Sequence, residues 1–192
     1  MKKSLGPKTL TFPLPAFLVG TYDTDGKPNI MTAAWGGILS SDPPCLGVSI
    51  RPERWTFAGI MKHQAFTVSI PDARLAPAVD YAGIVSGRQH DKFAVAGLTP
   101  VEGDLVKAPF VDECPVVIEC RLIKTLELGV HTLCVGQIVE VKAEESIPAD
   151  GGGLNIAAVD PLLYNVGADY HKVGEAVGRA FSIGKTLKEK GE

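Results

Sequence analysis

Apolar positions along this chain alternate more often than they recur at helical spacing. In Cys45–Arg51, Leu46, Val48 and Ile50 fall on one face and Ser49 and Arg51 on the other, the signature of a half-buried strand. Ala65–Ile70 repeats the pattern: Phe66, Val68 and Ile70 alternate with Thr67 and Ser69, and Pro71 ends the run. In Pro115–Ile123, Val116, Ile118, Cys120 and Leu122 point inward, with Glu119 and Arg121 outward. Phe17–Tyr22 is a short apolar strand. Asp25-Gly26 is a hairpin turn leading into a strand over Asn29–Trp35. A Gly/Ser/Pro-rich loop from Gly36-Gly37 to Pro43-Pro44 returns the chain to Cys45, and after Gly129 the longest strand runs over Val130–Ala143.

Helical spacing is confined to shorter pieces. Arg54–His63 reads as one helix, and Arg74–Ile84 as a second, with Leu75, Val79 and Ala82 on its buried side. Ser86-Gly87-Arg88 breaks that helix, and Asp91–Ala96 opens a further short piece. Val173, Val177 and Phe181 recur at helical spacing, with Gly174 and Gly178 on a neighbouring stripe, and predict a closing helix. Met1–Leu10 reads as an arm, 148–153 as a loop and 185–192 as a charged tail. No repeat or linker divides the sequence. The expectation is one domain over 1–192, mainly β with inserted helices: a small antiparallel barrel with helical excursions.

Composition narrows the function. With 192 residues, 45% of them hydrophobic, the chain can bury a core. A net charge of −3 gives a nucleic-acid partner no electrostatic support. Cys45, Cys114, Cys120 and Cys134 form no CxxC pair and read as buried reduced thiols. His131 has no partner at metal-ligand spacing, so no metal is expected. GxGxxG, Walker and GxSxG sequences are missing, and no residue is placed as a nucleophile of the chain's own. No apolar run approaches the ~20 residues that span a membrane, and the Pro-interrupted N-terminus is a poor signal peptide. The expected compartment is the cytoplasm.

The chemistry gathers in one stretch. Arg51, Arg54 and Thr56 surround Pro52 at a helix start, where free backbone N–H groups and the helix dipole favour an anion. Arg51 suits a phosphate because its planar fork donates two parallel bonds. Asn29, Thr32 and Trp35 sit on the preceding strand, and Ser49 shares the polar face of Arg51. An amide, hydroxyls, a flat aromatic ring and a cationic helix start suggest a phosphorylated aromatic ligand, with FMN the foremost candidate.

The segments PNIMTAAW, Pro43-Pro44, VSIRPERWT and SGRQHDKF, in that order, carry a resemblance running from about Pro13 to Phe181. The chain resembles the flavin-reductase-like, FMN-binding split-barrel family, its flavoredoxin members most closely. The resemblance implies that Asn29, Thr32 and Trp35 meet the isoalloxazine or phosphoribityl chain. Ser49, Arg51 and Thr56 then hold phosphate and ribityl, and Lys92 approaches the flavin. His131 and Tyr164 reach it from the barrel mouth or across a subunit interface. It also implies a homodimer with FMN near that interface. Two redox roles follow: a flavoredoxin-like carrier served by a redox protein partner, or an NAD(P)H:flavin oxidoreductase using NADH or NADPH. In both, the flavin carries the chemistry and the protein positions it. The alternative is a non-catalytic protein that binds or senses FMN or another phosphorylated ligand.

Overall fold

A computed structural model describes residues 1–167 and 169–188. The strands are β1 (Leu14–Pro15), β2 (Phe17–Tyr22), β3 (Pro28–Ala33), β4 (Gly36–Ser41), β5 (Pro44–Ile50), β6 (Ala65–Ile70), β7 (Pro100–Glu102), β8 (Pro109–Val111), β9 (Val116–Leu128), β10 (His131–Ala143), β11 (Ala149–Asp150), β12 (Gly153–Leu154), β13 (Leu163–Tyr164) and β14 (Tyr170–His171). The helices are α1 (Trp55–His63), α2 (Ala76–Ile84), α3 (Lys92–Ala96), α4 (Ile156–Val159) and α5 (Lys185–Lys188). Among the described residues no helix is long and apolar enough to cross a membrane.

Seven strands form one antiparallel sheet in the order β3-β2-β6-β9-β10-β5-β4. Its two edges, β3 and β4, are not hydrogen-bonded to each other, yet only Ala34 and Trp35 separate them in sequence. The sheet must therefore curl until its edges almost meet. The result is a barrel closed by the chain and left split along the β3/β4 seam. The Ser49 N–H donates to the Trp35 carbonyl at 2.8 Å and fixes the connection against β5.

Alternation decides which side chains fill the barrel. Leu46, Val48 and Ile50 of β5 meet Phe66 and Val68 of β6 and Ile118, Cys120 and Leu122 of β9 inside it. A second core lies outside, where Val79 and Ala82 of α2 and Phe93 of α3 cover Leu18, Ile30 and Val117. Helix α1 ends at Gln64, whose left-handed φ of 54° lets its N–H reach the Ile60 carbonyl. Asp91 starts α3 by accepting from the Ala94 N–H at 3.0 Å. All four cysteines are free and buried.

Three expectations are corrected. The stretch from Gly36 to Ser41 is a strand, not a loop: its glycines are extended and pair with Gly47 and Val48 of β5. Glu119 does not point to solvent, because the 104–106 segment covers the outer face of β9. Its buried carboxylate accepts from the N–H groups of Asp104, Leu105 and Val106 and pairs with Lys142 at 2.7 Å. The closing helix predicted from Val173, Val177 and Phe181 is missing, and residues 172–179 carry no regular structure. Val177 and Phe181 are almost wholly exposed. Two glycines and two β-branched valines weaken helix propensity there, and no barrel surface supplies the packing that would override it.

Candidate functional site

Two adjoining cavities open along the split. The first, about 290 Å³, lies along the Ala33–Trp35 connection and is lined further by Ser49, Ile50, His131, Asp80, Tyr164 and Tyr170. The second, about 240 Å³, lies at the start of α1 between Arg54, Trp55 and Thr56 and the Ala82–Gly87 turn, with Lys92 at its base. Met31, Thr32, Arg54 and Gly83 line both cavities, so they form one elongated site.

The first cavity is flat-walled. Trp35, at the seam, lies parallel to His131 at the start of β10, with 5° between the planes and 6.3 Å between centroids. Thr32 donates its hydroxyl to the Val79 carbonyl and ties β3 to α2 at the cavity edge. Arg51 also lines this cavity, with its guanidinium held by Glu53 at 3.0 Å. Tyr164 accepts from the Gly167 N–H at 2.8 Å and packs its ring 5.8 Å from that of Tyr170.

The second cavity is built for an anion. Arg54 caps α1 without a side-chain bond to the first turn, so the dipole at this helix start is not neutralised by the chain. Buried Thr56 accepts a hydrogen bond from the side-chain amide of Asn29 at 2.8 Å, which leaves its own O–H free to donate into the cavity. Asn29 lines neither of these two cavities and is joined to the second through Thr56. Lys92 is 5% exposed, and its ammonium donates to the Ala82 carbonyl at 2.7 Å, at the C-terminal end of α2. Burial, with the nearby Arg54 charge adding to it, pushes the Lys92 ammonium down to about 8.

All nine residues named from the sequence therefore gather along this seam, eight on the cavity walls and Asn29 behind Thr56. Sequence reasoning passed over Asp80 and Tyr170, because a helix surface acid and a tyrosine 90 positions later carry no joint signal. It also left Gly87 as a simple break. A Cβ at Gly87 would collide with the Asn29 side-chain oxygen, so a glycine lets the turn approach the Asn29–Thr56 pair.

The sequence model of the flavin reductase like domain matches residues 9–173. The structure of flavoredoxin from Desulfovibrio vulgaris (Miyazaki F) is 50% identical, superposes with a TM-score of 0.90, and covers 96% of this chain and 100% of its own. Flavoredoxin from Methanosarcina acetivorans is 32% identical with a TM-score of 0.87, over 97% of this chain and 100% of its own. An FMN-binding protein from Thermus thermophilus, solved with bound 1-cyclohex-2-enone, is 27% identical with a TM-score of 0.78, over 93% and 98% of the two chains.

Proposed function

Because the chain belongs to the flavin reductase like domain family, we propose that it is an FMN-binding flavoprotein that passes reducing equivalents between a donor and an acceptor. Family membership and the flavoredoxin likeness support a flavin-binding electron-transfer protein. The observation that carries the finer reading is the pairing of the two cavities. A flat-walled chamber beside Trp35 and His131 leads directly to a cationic chamber at a helix start. One molecule with a planar ring at one end and a phosphate at the other fits both.

In this reading Thr56 donates its hydroxyl to the phosphate, and buried Lys92 and exposed Arg54 balance its charge. Asn29 orients Thr56. Thr32, lying between the two chambers, borders the ribityl chain, with Ser49 and Arg51 beside it on the other wall. Trp35, His131 and Tyr164 wall the ring and exclude water from it. The bound flavin supplies the redox chemistry. FMN is favoured over FAD because the cationic chamber is compact and the 27%-identical neighbour is an FMN-binding protein.

The protein acts as one domain, in the cytoplasm, as a homodimer. Support for the dimer comes from an apolar strip on the outer face of the barrel. Leu133 lies directly opposite Leu126 of β9, and Leu39 and Leu133 together fill the space over Gly47. Leu39, Leu126 and Leu128 remain half exposed. Leu128 pairs with His131, so the strip runs into the first cavity and a partner seated on it borders the flavin. The test of the central reading is extraction: cofactor released by heat from the purified yellow protein has the mass of FMN. FAD as the dominant species, or a protein that takes up no flavin, overturns it.

A further inference from the structure

A groove of about 510 Å³ adjoins the second cavity and has no part in the flavin reading. Gly87 lines both spaces. Asn29 lines the groove and donates to Thr56, which lines the cavity. Arg88, on the groove, lays its guanidinium over the ring of Trp55, on the cavity, 4.9 Å from the centroid. Buried Phe93 and Leu98 give the groove an apolar base. Its acids are committed to the fold. One carboxylate oxygen of Asp23 accepts from the N–H groups of Asp25 and Lys27 at 2.8 and 2.9 Å, and the other accepts from the Trp55 indole at 3.4 Å. Asp91 accepts from the Ala94 N–H at 3.0 Å. Its cations are not so committed. Among the described residues neither Arg88 nor Lys27 makes a salt bridge, although the Lys27 charge is felt at Asp23. Stacking on Trp55 fixes the plane of the Arg88 guanidinium and leaves the N–H donors at its rim for a ligand.

We propose that this groove is a second ligand site, distinct from the flavin's, and that it takes a small organic anion with a flat ring. The ring lies on Phe93 and Leu98, and a phosphate or carboxylate meets the guanidinium of Arg88 and the ammonium of Lys27. A cation is disfavoured, because the carboxylates that would bind it already accept from the chain. A large acidic partner is disfavoured as well, because Phe93 and Leu98 are buried and only a small ring reaches them. The volume is that of a small-molecule pocket. The site does not depend on which flavin, or whether a flavin, fills the cavities along the split.

The test uses three probes with one ring: 1-naphthyl phosphate, 1-naphthoate and the neutral 1-naphthamide. Each is titrated by calorimetry into the purified protein with its bound flavin, whose visible absorbance is followed throughout. The wild type should bind at least one of the two anions about tenfold more tightly than the amide, as expected for hydrogen bonds to a charged group. The tighter of the two anions identifies the group for which the groove is built. Arg88→Gln should cut that preference about tenfold and leave the amide unchanged. Ala94→Trp, at an exposed position that lines the groove, should fill it and remove the binding of all three probes. Flavin absorbance should stay constant in every titration. Failure of both anions to bind at millimolar concentration, or equal affinities for charged and neutral probes, overturns the inference. So does an anion affinity unchanged in both variants, or displacement of the flavin by the probe, which would place the anion in the flavin's own site.

Discussion

The side-chain amide of Asn29 donates to Thr56 Oγ1 at 2.8 Å, joining the edge strand β3 to the first turn of α1 in a buried contact. This bond sets the direction of the Thr56 proton. With one lone pair occupied from behind, the hydroxyl is left to donate forward, toward the phosphate end of the site. Gly87 packs against the same pair on the other side.

Three substitutions should therefore converge. Thr56→Ala removes the donor, Asn29→Ala frees it to rotate, and Gly87→Ala drives a methyl into the Asn29 oxygen. A hydrogen bond to a charged group is worth ~1.5–3 kcal/mol, so Thr56→Ala should weaken FMN binding about tenfold or more. Asn29→Ala combined with Thr56→Ala should cost little beyond Thr56→Ala alone, because the two act as a unit. Fluorescence titration of the apo-proteins measures all four affinities; additive losses would mean that Asn29 reaches the ligand independently.

Lys92 makes binding depend on pH. Its ammonium is pushed down to about 8 by burial, with Arg54 as the second cause. FMN affinity should fall as pH rises through about 8, where the buried cation loses its charge. In Lys92→Met the affinity should be lower and flat across that window. The ligand-free protein should show the opposite trend in stability. Between about 8 and the ordinary lysine value of roughly 10.5, the unfolded chain holds a proton that the folded chain has released, so stability rises with pH. Thermal melts of apo and FMN-loaded protein at pH 7 and 9 separate the two effects.

Much of this architecture was legible in the sequence, and the misses have physical causes. Alternation located β5 and β6, each with one face in the barrel interior, and a continuous apolar run located β2. The same rule of alternation sent Glu119 to solvent, since it describes a sheet with one wet face, and the first five residues of β9, Val116 to Cys120, are covered on both. The Gly-rich stretch at Gly36 read as a loop because glycine carries no side-chain pattern, although its backbone pairs along β5. Of the site, the cationic helix start was readable as a local cluster. The Asp80–Tyr170 pair was not, because tertiary structure alone brings together residues so distant in sequence.

Glu119 should be a stability determinant rather than a site residue. Burial works to raise its carboxyl, but the Lys142 ammonium and the N–H groups of Leu105 and Asp104 outweigh it and hold the carboxyl below its ordinary value. Its stabilisation is thus complete above the unfolded carboxyl value of roughly 4.3 and is lost as pH falls through the lower folded value. Glu119→Ala leaves three backbone donors without their acceptor and should cost on the order of 3 kcal/mol, with little change in FMN affinity per folded molecule. Denaturant melts of the variant and wild type at pH 7 give the difference, and the gap between them should narrow in acid.

The last prediction concerns assembly. The closing helix predicted from Val173, Val177 and Phe181 does not form, and the apolar surface that needs a cover lies on the barrel itself. Leu126 and Leu128 on β9 and Leu39 on edge strand β4 stand half exposed on one face, linked through Leu133 and ending at His131 beside the first cavity. An edge strand with exposed leucines invites association unless something covers it. A two-fold pairing would bury the strip on both copies at once and bring the partner to the mouth of the site. Sedimentation at micromolar concentration should therefore give a dimer, and Leu126→Asp should give a folded monomer, because that side chain lies outside the barrel core. The monomer should hold FMN less tightly, since the ring then loses cover on the His131 side. A wild-type protein of monomer mass refutes the dimer. A Leu126→Asp variant that stays dimeric moves the interface off this strip, and one that dissociates yet binds FMN unchanged would show that the partner contributes nothing to the site.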